Sequence, residues 1–209
     1  MRWNAKSALR KKIKMSELRL DFTSGAVSHR RNFGGGRGQD LAKAAGMKTG
    51  HNPVVVDATA GLGRDAFLLA SLGAKVTLIE RSARMHLLLR DALNRAADHP
   101  ETAEIVARMT LLFGDAKTLL PDLRPEVVLV DPMHPPRGNS ALVKIEMRQI
   151  REIVGPDSDA AELMKIALKS TRNRVVLKWP RKAAPLPELP KCSHQILGKS
   201  TRYDVFMCV

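Results

Sequence analysis

Four acids stand at the ends of four successive short apolar runs. Asp57 follows Val54-Val55-Val56, Glu80 follows Val76-Thr77-Leu78-Ile79, Asp115 follows Met109–Phe113 and a glycine, and Asp131 follows Val127–Val130. In an open parallel sheet, ligands bind in the crevice outside the carboxyl ends of the strands, so acids in these positions border one site. A carboxylate there can accept hydrogen bonds from ribose hydroxyls, hold a cationic group, or orient an amine for attack. The first acid opens the turn Asp57-Ala58-Thr59-Ala60-Gly61-Leu62-Gly63-Arg64-Asp65. Gly61 and Gly63 admit backbone dihedrals closed to other residues and let a ligand approach the chain. The helix beginning after them offers unpaired N–H groups.

Two cofactor classes fit this far. Gly61-Leu62-Gly63-Arg64-Asp65-Ala66 matches the dinucleotide pattern G-x-G-x-x-G/A, and Glu80 lies 19 residues after Gly61, where an acid binds ribose hydroxyls. Asp57 and the Arg64-Asp65 pair separate the two. An acid at the helix start repels a pyrophosphate but suits the zwitterionic methionine end of S-adenosylmethionine, whose amino group Asp57 can hold. Asp115 is placed to accept from the adenine amine. S-adenosylmethionine is therefore the expected cofactor, and a nicotinamide-dependent oxidoreductase is the rival from another class.

Asp131 opens a second motif, Asp131-Pro132-Met133-His134-Pro135-Pro136-Arg137. It resembles the D-P-P-Y loop of methyltransferases that act on exocyclic amines of bases. Such an amine is a poor nucleophile because its lone pair is delocalised into the ring. A carboxylate accepting one of its N–H groups, with a backbone carbonyl accepting the other, favours a pyramidal nitrogen that can attack a sulfonium methyl in line. Pro132 stiffens the loop. His134 stands where an aromatic ring usually stacks on the flipped base.

The elements that position these residues alternate. Strands are expected at 54–56, 75–79, Met109–Phe113, Val127–Val130 and 174–179, with a closing pair at 192–197 and 203–208. Helices are expected at 40–45, at 64–72, after Ser82 (Met85, Leu88, Leu89, Leu93 and Ala96 at helical spacing), at 141–154 and at 159–169. This pattern is that of an α/β protein: a mostly parallel sheet with helices on both faces. Residues 1–46 read as a basic N-terminal extension with a glycine-rich loop, and 47–209 as the main domain.

Composition agrees with a folded chain. Of 209 residues, 44% are hydrophobic and 27% charged, which excludes collagen-like, mucin-like and wholly disordered classes. No run approaches the ~18 apolar residues of a membrane span, and no apolar signal-peptide core follows Met1, so a cytoplasmic protein without membrane partners is expected. Two cysteines and scattered histidines show no metal-ligand spacing, so no metal is expected. The formal charge of +14 and pI near 10.3 point to a polyanionic partner. Residues 1–37 hold ten Lys and Arg against two acids, and 165–182 hold seven against none. Both runs read as nucleic-acid flanks of the site or as solvated faces.

Several stretches together carry a family resemblance: His29-Arg30-Arg31-Asn32-Phe33-Gly34-Gly35-Gly36-Arg37-Gly38, the turn from Asp57 through Phe67, Leu78-Ile79-Glu80-Arg81, Asp131-Pro132-Met133, and Ser140-Ala141-Leu142-Val143-Lys144 with Glu146-Met147-Arg148. From about Leu18 onward the chain resembles the ribosomal RNA small subunit methyltransferase J family. The resemblance implies a Rossmann-like S-adenosylmethionine-dependent methyltransferase fold. It also implies methylation of N2 of one guanosine near the 3′ end of 16S rRNA, with that RNA or the small ribosomal subunit as partner. It places cofactor contacts on Arg64 and Asp65, Glu80 and Arg81, Asp115 and Ala116, and Asp131, beside Asp57, Gly61 and Gly63 from the residue reading. Asp131 is the expected catalytic residue. Candidate RNA contacts are His134, Arg30, Arg31 and Arg37 of the glycine-rich loop, and Lys144 and Arg148, four apart on one helix face. The alternatives are an adenine-N6 methyltransferase, an enzyme for a different RNA, and a non-catalytic RNA-binding module.

Overall fold

The structure, a computed structural model, describes residues 20–24, 34–133 and 159–208. In chain order its elements are α1 (Asp40–Ala44), β1 (Val54–Asp57), α2 (Arg64–Ser71), β2 (Lys75–Glu80), α3 (Ala83–Ala97), α4 (Ala103–Val106), β3 (Met109–Phe113), α5 (Ala116–Leu123), β4 (Val127–Val130), α6 (Ala160–Ser170), β5 (Arg174–Pro180), β6 (His194–Leu197) and β7 (Thr201–Met207). The strands form one sheet in the order β3-β2-β1-β4-β5-β7-β6. β1 to β5 run parallel, and β7 and β6 close the edge antiparallel.

Valine-rich β1 and β4 occupy the centre, as strands covered on both faces must. On one face α1 to α4 pack over the sheet through Leu41, Phe67, Leu69 and Leu89. On the other, α5 and α6 pack through Leu120, Met164 and Ala167, beside Trp179. β2 follows β1 on one side and β4 lies on the other, so the order reverses between β1 and β4. The crevice at their carboxyl ends is the ligand position of such sheets.

The parallel strands fall where the sequence places them. The closing pair is shifted by a tight turn in which the Gly198 N–H donates to the Thr201 carbonyl at 2.8 Å. α4 and α5 were not anticipated. α4 is a single turn, and α5 contains Pro121, which reads as a breaker. α5 starts because Asp115 caps it, accepting the Lys117 N–H at 2.9 Å. The helix expected at 141–154 lies outside the described residues. At α1, Asp40 is the first helical residue, and Gln39 takes the cap position without a side-chain bond.

The described part of the 1–46 stretch is packed into the main core. Leu20, Phe22, Leu41 and Ala42 are buried with α2 and α3, and Phe22 stacks on Phe67 with centroids 4.8 Å apart. Phe22 also reaches the glycine turn. Gly63 has φ 65°, and a Cβ there would stand 2.8 Å from Leu89, 3.2 Å from Phe22 and 3.3 Å from Leu78. Gly63→Ala is expected to cost about 2 kcal/mol, from overpacking plus a left-handed backbone. A thermal melt checks it: the Tm should fall by roughly 4–8 °C.

Candidate active site

The sheet register brings the site together. Asp57 ends β1 opposite Leu78 and Leu129. Val130 pairs with Leu177, so the next step along each chain sets Asp131 beside Lys178. Lys178 Nζ lies 2.7 Å from Asp131 Oδ2 and 2.6 Å from Asp65 Oδ2. One ammonium thus joins the end of β4 to the first turn of α2. The Asp131 N–H donates to Thr59 Oγ1 at 2.7 Å, which ties the same loop to the turn after β1.

Asp57 sits beneath this group, almost fully buried. Its Oδ1 accepts the Thr59 N–H at 3.2 Å. Burial pushes its carboxyl up to about 7, and the nearby charges of Asp65 and Asp131 add to the rise; the Thr59 N–H and Lys178 oppose it. Burial alone would lower the Lys178 ammonium, but Asp131 and Asp65 outweigh it and hold the group above the usual lysine range.

Glu80 fixes the glycine turn. One carboxylate oxygen accepts the Gly61 N–H at 3.0 Å and the other the Ser82 N–H at 2.7 Å. The turn after β1 and the start of α3 are therefore both tied to the end of β2. On the same flank Arg81 donates to Asp159 at 2.8 Å, and Lys117 bridges Asp159 at 2.9 Å and Glu162 at 2.8 Å. These pairs anchor the start of α6 to the end of β2 and the start of α5.

Between these groups lies a cavity of about 570 Å³, within the roughly 300–1,000 Å³ of small-molecule sites. Asp57, Gly61, Arg64, Asp65, Glu80, Arg81, Asp115, Ala116 and Asp131 all line it. The lining suits S-adenosylmethionine. Gly61, at φ 50°, leaves no side chain between turn and cavity; among the described residues beyond its chain neighbours, a Cβ there would meet the Thr59 carbonyl oxygen at 3.7 Å and otherwise open space. Carboxylates from four strand ends line the cavity, and α2 begins at its wall. Arg64, Asp65, Glu80 and Arg81 would hold the nucleoside and amino-acid parts.

Other candidates stand elsewhere. Gly63 is not on the cavity wall; it is wedged against Leu89 and Phe22 beneath the turn. Arg37 is half-buried and ties its loop to neighbouring surface segments. It donates to the carbonyls of Lys48 (2.8 Å), His51 (3.3 Å) and Leu72 (2.9 Å) and to Asn52 Oδ1 (2.6 Å). Arg30, Arg31, His134, Lys144 and Arg148 lie outside the described residues. The basic run 165–182 is not one face. Lys165 pairs with Glu188 at 2.6 Å, Arg174 packs at the opposite end of the sheet beside Gly46, and Lys178 is in the site. Sequence reasoning missed Thr59, Lys117 and Asp159; it set Lys178-Trp179-Pro180 at the end of the fifth strand beside the expected substrate mouth but gave Lys178 no role. The signal for Lys178 was present: several acids converging on one crevice need a cation, and Lys178 lies near the carboxyl end of the fifth strand.

Comparison with known proteins fits this geometry. The SAM-dependent methyltransferase family model SAM_MT matches residues 4–208. A protein named ribosomal RNA small subunit methyltransferase J from Brucella anthropi is 70% identical over 94% of this chain and 96% of its own length. One of the same name from Agrobacterium fabrum is 62% identical over 90% and 91%. A solved SAM-dependent methyltransferase from Neisseria gonorrhoeae is 39% identical with a TM-score of 0.71, covering 91% of this chain and 74% of that one. The chain is an S-adenosylmethionine-dependent methyltransferase and belongs to the ribosomal RNA small subunit methyltransferase J family.

Proposed function

We propose that this enzyme methylates the exocyclic N2 amine of a guanosine near the 3′ end of 16S rRNA. The observation that carries the reading is Asp131: a carboxylate at the end of β4, backed by Pro132, tied to Thr59 and Lys178, on the wall of the cofactor cavity. The names of the relatives supply the nucleic acid, and a formal charge of +14 suits it.

Bound S-adenosylmethionine supplies an electrophilic methyl group on its sulfonium. The chain supplies the rest. Glu80 and Arg81 hold the ribose side, with Asp115 and Ala116 toward the adenine. Arg64, Asp65 and Asp57 surround the amino-acid end. Asp131 accepts an N–H of the guanine amine and aims its lone pair at the methyl carbon. As the C–N bond forms and the S–C bond breaks, the surplus proton on nitrogen passes to Asp131 or to solvent. The substrate is the RNA alone or the assembled small subunit, and the compartment is the cytoplasm. Among the described residues no helix is long and apolar enough to cross a membrane, and no group of side chains is arranged to hold a metal ion.

The test is transfer of labelled methyl to small ribosomal subunits lacking modification, followed by nucleoside analysis. N2-methylguanosine in 16S rRNA is expected, with transfer falling steeply as salt rises. N6-methyladenosine would move the acceptor to another amine. Salt-sensitive RNA binding with no transfer to any RNA would leave a binding module.

A further inference from the structure

We propose that Lys178 is a positioning residue for methyl transfer: its single ammonium, shared between Asp65 and Asp131, fixes the acceptor-side carboxylate relative to the amino-acid end of the cofactor site. The inference rests on Asp131 as the carboxylate that orients the acceptor amine. It goes beyond that reading by assigning a second residue, on a different strand, that sets where Asp131 points and how readily it stays ionised.

Three observations converge. The contacts are short and two-sided, 2.6 Å to Asp65 and 2.7 Å to Asp131, so Lys178 spans from α2 to the end of β4. The side chain is confined: β5 is a buried strand flanked by β4 and β7, and Lys178 pairs with Tyr203 in the sheet. At Asp131 the amide is tied to Thr59, and the carboxylate, more exposed than that of Asp65 (41% against 10%), meets the Lys178 ammonium. Backbone anchorage by Thr59 fixes where the residue stands. The ammonium fixes where its carboxylate points.

Charge argues the same way. Asp57 from β1, Asp65 from α2 and Asp131 after β4 crowd one corner, and Lys178 from β5 is the cation that acts on all three. Arg64 and Glu80 line the same cavity. Without the lysine, the mutual repulsion of these carboxylates favours proton uptake, and a protonated, uncharged Asp131 is a weaker acceptor for the amine N–H and cannot take up its surplus proton. The cofactor carries its own positive groups, whose attraction to ionised Asp65 and Asp57 does not need the lysine. At a pH where Asp57 is ionised, Lys178 should therefore govern turnover and leave cofactor affinity intact.

The experiment compares Lys178→Met, Lys178→Arg and Asp131→Asn with the wild-type chain. It reads S-adenosylhomocysteine affinity, kcat, and the pH profile of kcat. In K178M, kcat at pH 7 should fall about 10- to 100-fold, the scale set by a misplaced catalytic group. The acid limb should move up by roughly 1–3 pH units, the shift that loss of a neighbouring opposite charge produces. At pH 8, above the Asp57 transition, cofactor affinity should stay within about threefold of wild type or tighten. K178R should return the acid limb and recover part of kcat, since it keeps the charge with a different shape. A purely structural lysine would weaken cofactor affinity and kcat together and leave the limb in place. That result, or a K178M enzyme with wild-type kcat and limb, overturns the proposal. If K178M has lost its thermal transition, the same readings on Lys178→Gln decide. Asp131→Asn separates the two layers: full turnover in that variant removes Asp131 from the chemistry and this proposal with it. An inactive D131N beside a normal K178M removes the Lys178 role alone.

Discussion

Asp131→Ala is expected to lower kcat for RNA methylation by about 10³-fold, within the roughly 10²–10⁴ that a positioned acid or base contributes. Affinity for S-adenosylhomocysteine and for RNA should change little. The argument is geometric. Asp131 lies on the cavity wall at the end of β4, and its position depends on its amide bond to Thr59, which alanine keeps. The substitution therefore removes the acceptor for the guanine N–H without dismantling the turn. The variant leaves Lys178 with Asp65 as its remaining carboxylate partner of the pair, so the buried ammonium is not stranded. Asp131→Asn is the sharper form. It keeps the shape, loses the charge, and should be nearly as slow. Single-turnover kinetics with bound RNA reads the chemical step directly. Full activity in either variant would remove Asp131 from the chemistry and reopen the choice of acceptor.

Much of this site was legible because parallel sheets make strand ends into places. Short valine-rich runs announced β1 and β4, and the acid after each run marked its carboxyl end. Asp57, Glu80, Asp115 and Asp131 then had to share one crevice, and they do. What sequence spacing does not carry is the partner a side chain selects. Glu80, read as a ribose ligand, also accepts two backbone N–H groups that hold the cofactor turn. Asp115, read as an adenine ligand, also caps α5. Arg37, read as an RNA contact in a glycine-rich basic loop, also donates to the carbonyls of 48, 51 and 72. Lys178 was counted as one charge of a basic run, because a run is linear and a strand is not. Along β5 the same run begins at one end of the sheet and reaches the active site at the other.

Cofactor affinity is expected to depend on pH through Asp57. In the folded chain its carboxyl is pushed up to about 7, chiefly by burial and then by Asp65 and Asp131, against an ordinary value of 3.8. The raised value means that folding favours the protonated acid. Its share of stability is fully present below pH 3.8 and is lost as pH rises through 7, at a cost on the order of 4 kcal/mol above that point. A cofactor ammonium set beside Asp57 favours the carboxylate, so binding expels a proton. Affinity for S-adenosylhomocysteine should rise by up to about tenfold per pH unit below 7 and level off above it. It should fall again only at higher pH, once the ligand's own amino group deprotonates. Calorimetry in buffers of different ionisation enthalpy reads the released proton directly. Asp57→Asn tests the assignment from both sides. The amide oxygen can still accept the Thr59 N–H but carries no charge, so the variant should melt higher than wild type at pH 8 while binding the cofactor more weakly. Its affinity should no longer climb between pH 5 and 7. A wild-type affinity that is flat over that range would mean that the ammonium is held elsewhere, with Asp65 as another carboxylate on the cavity wall.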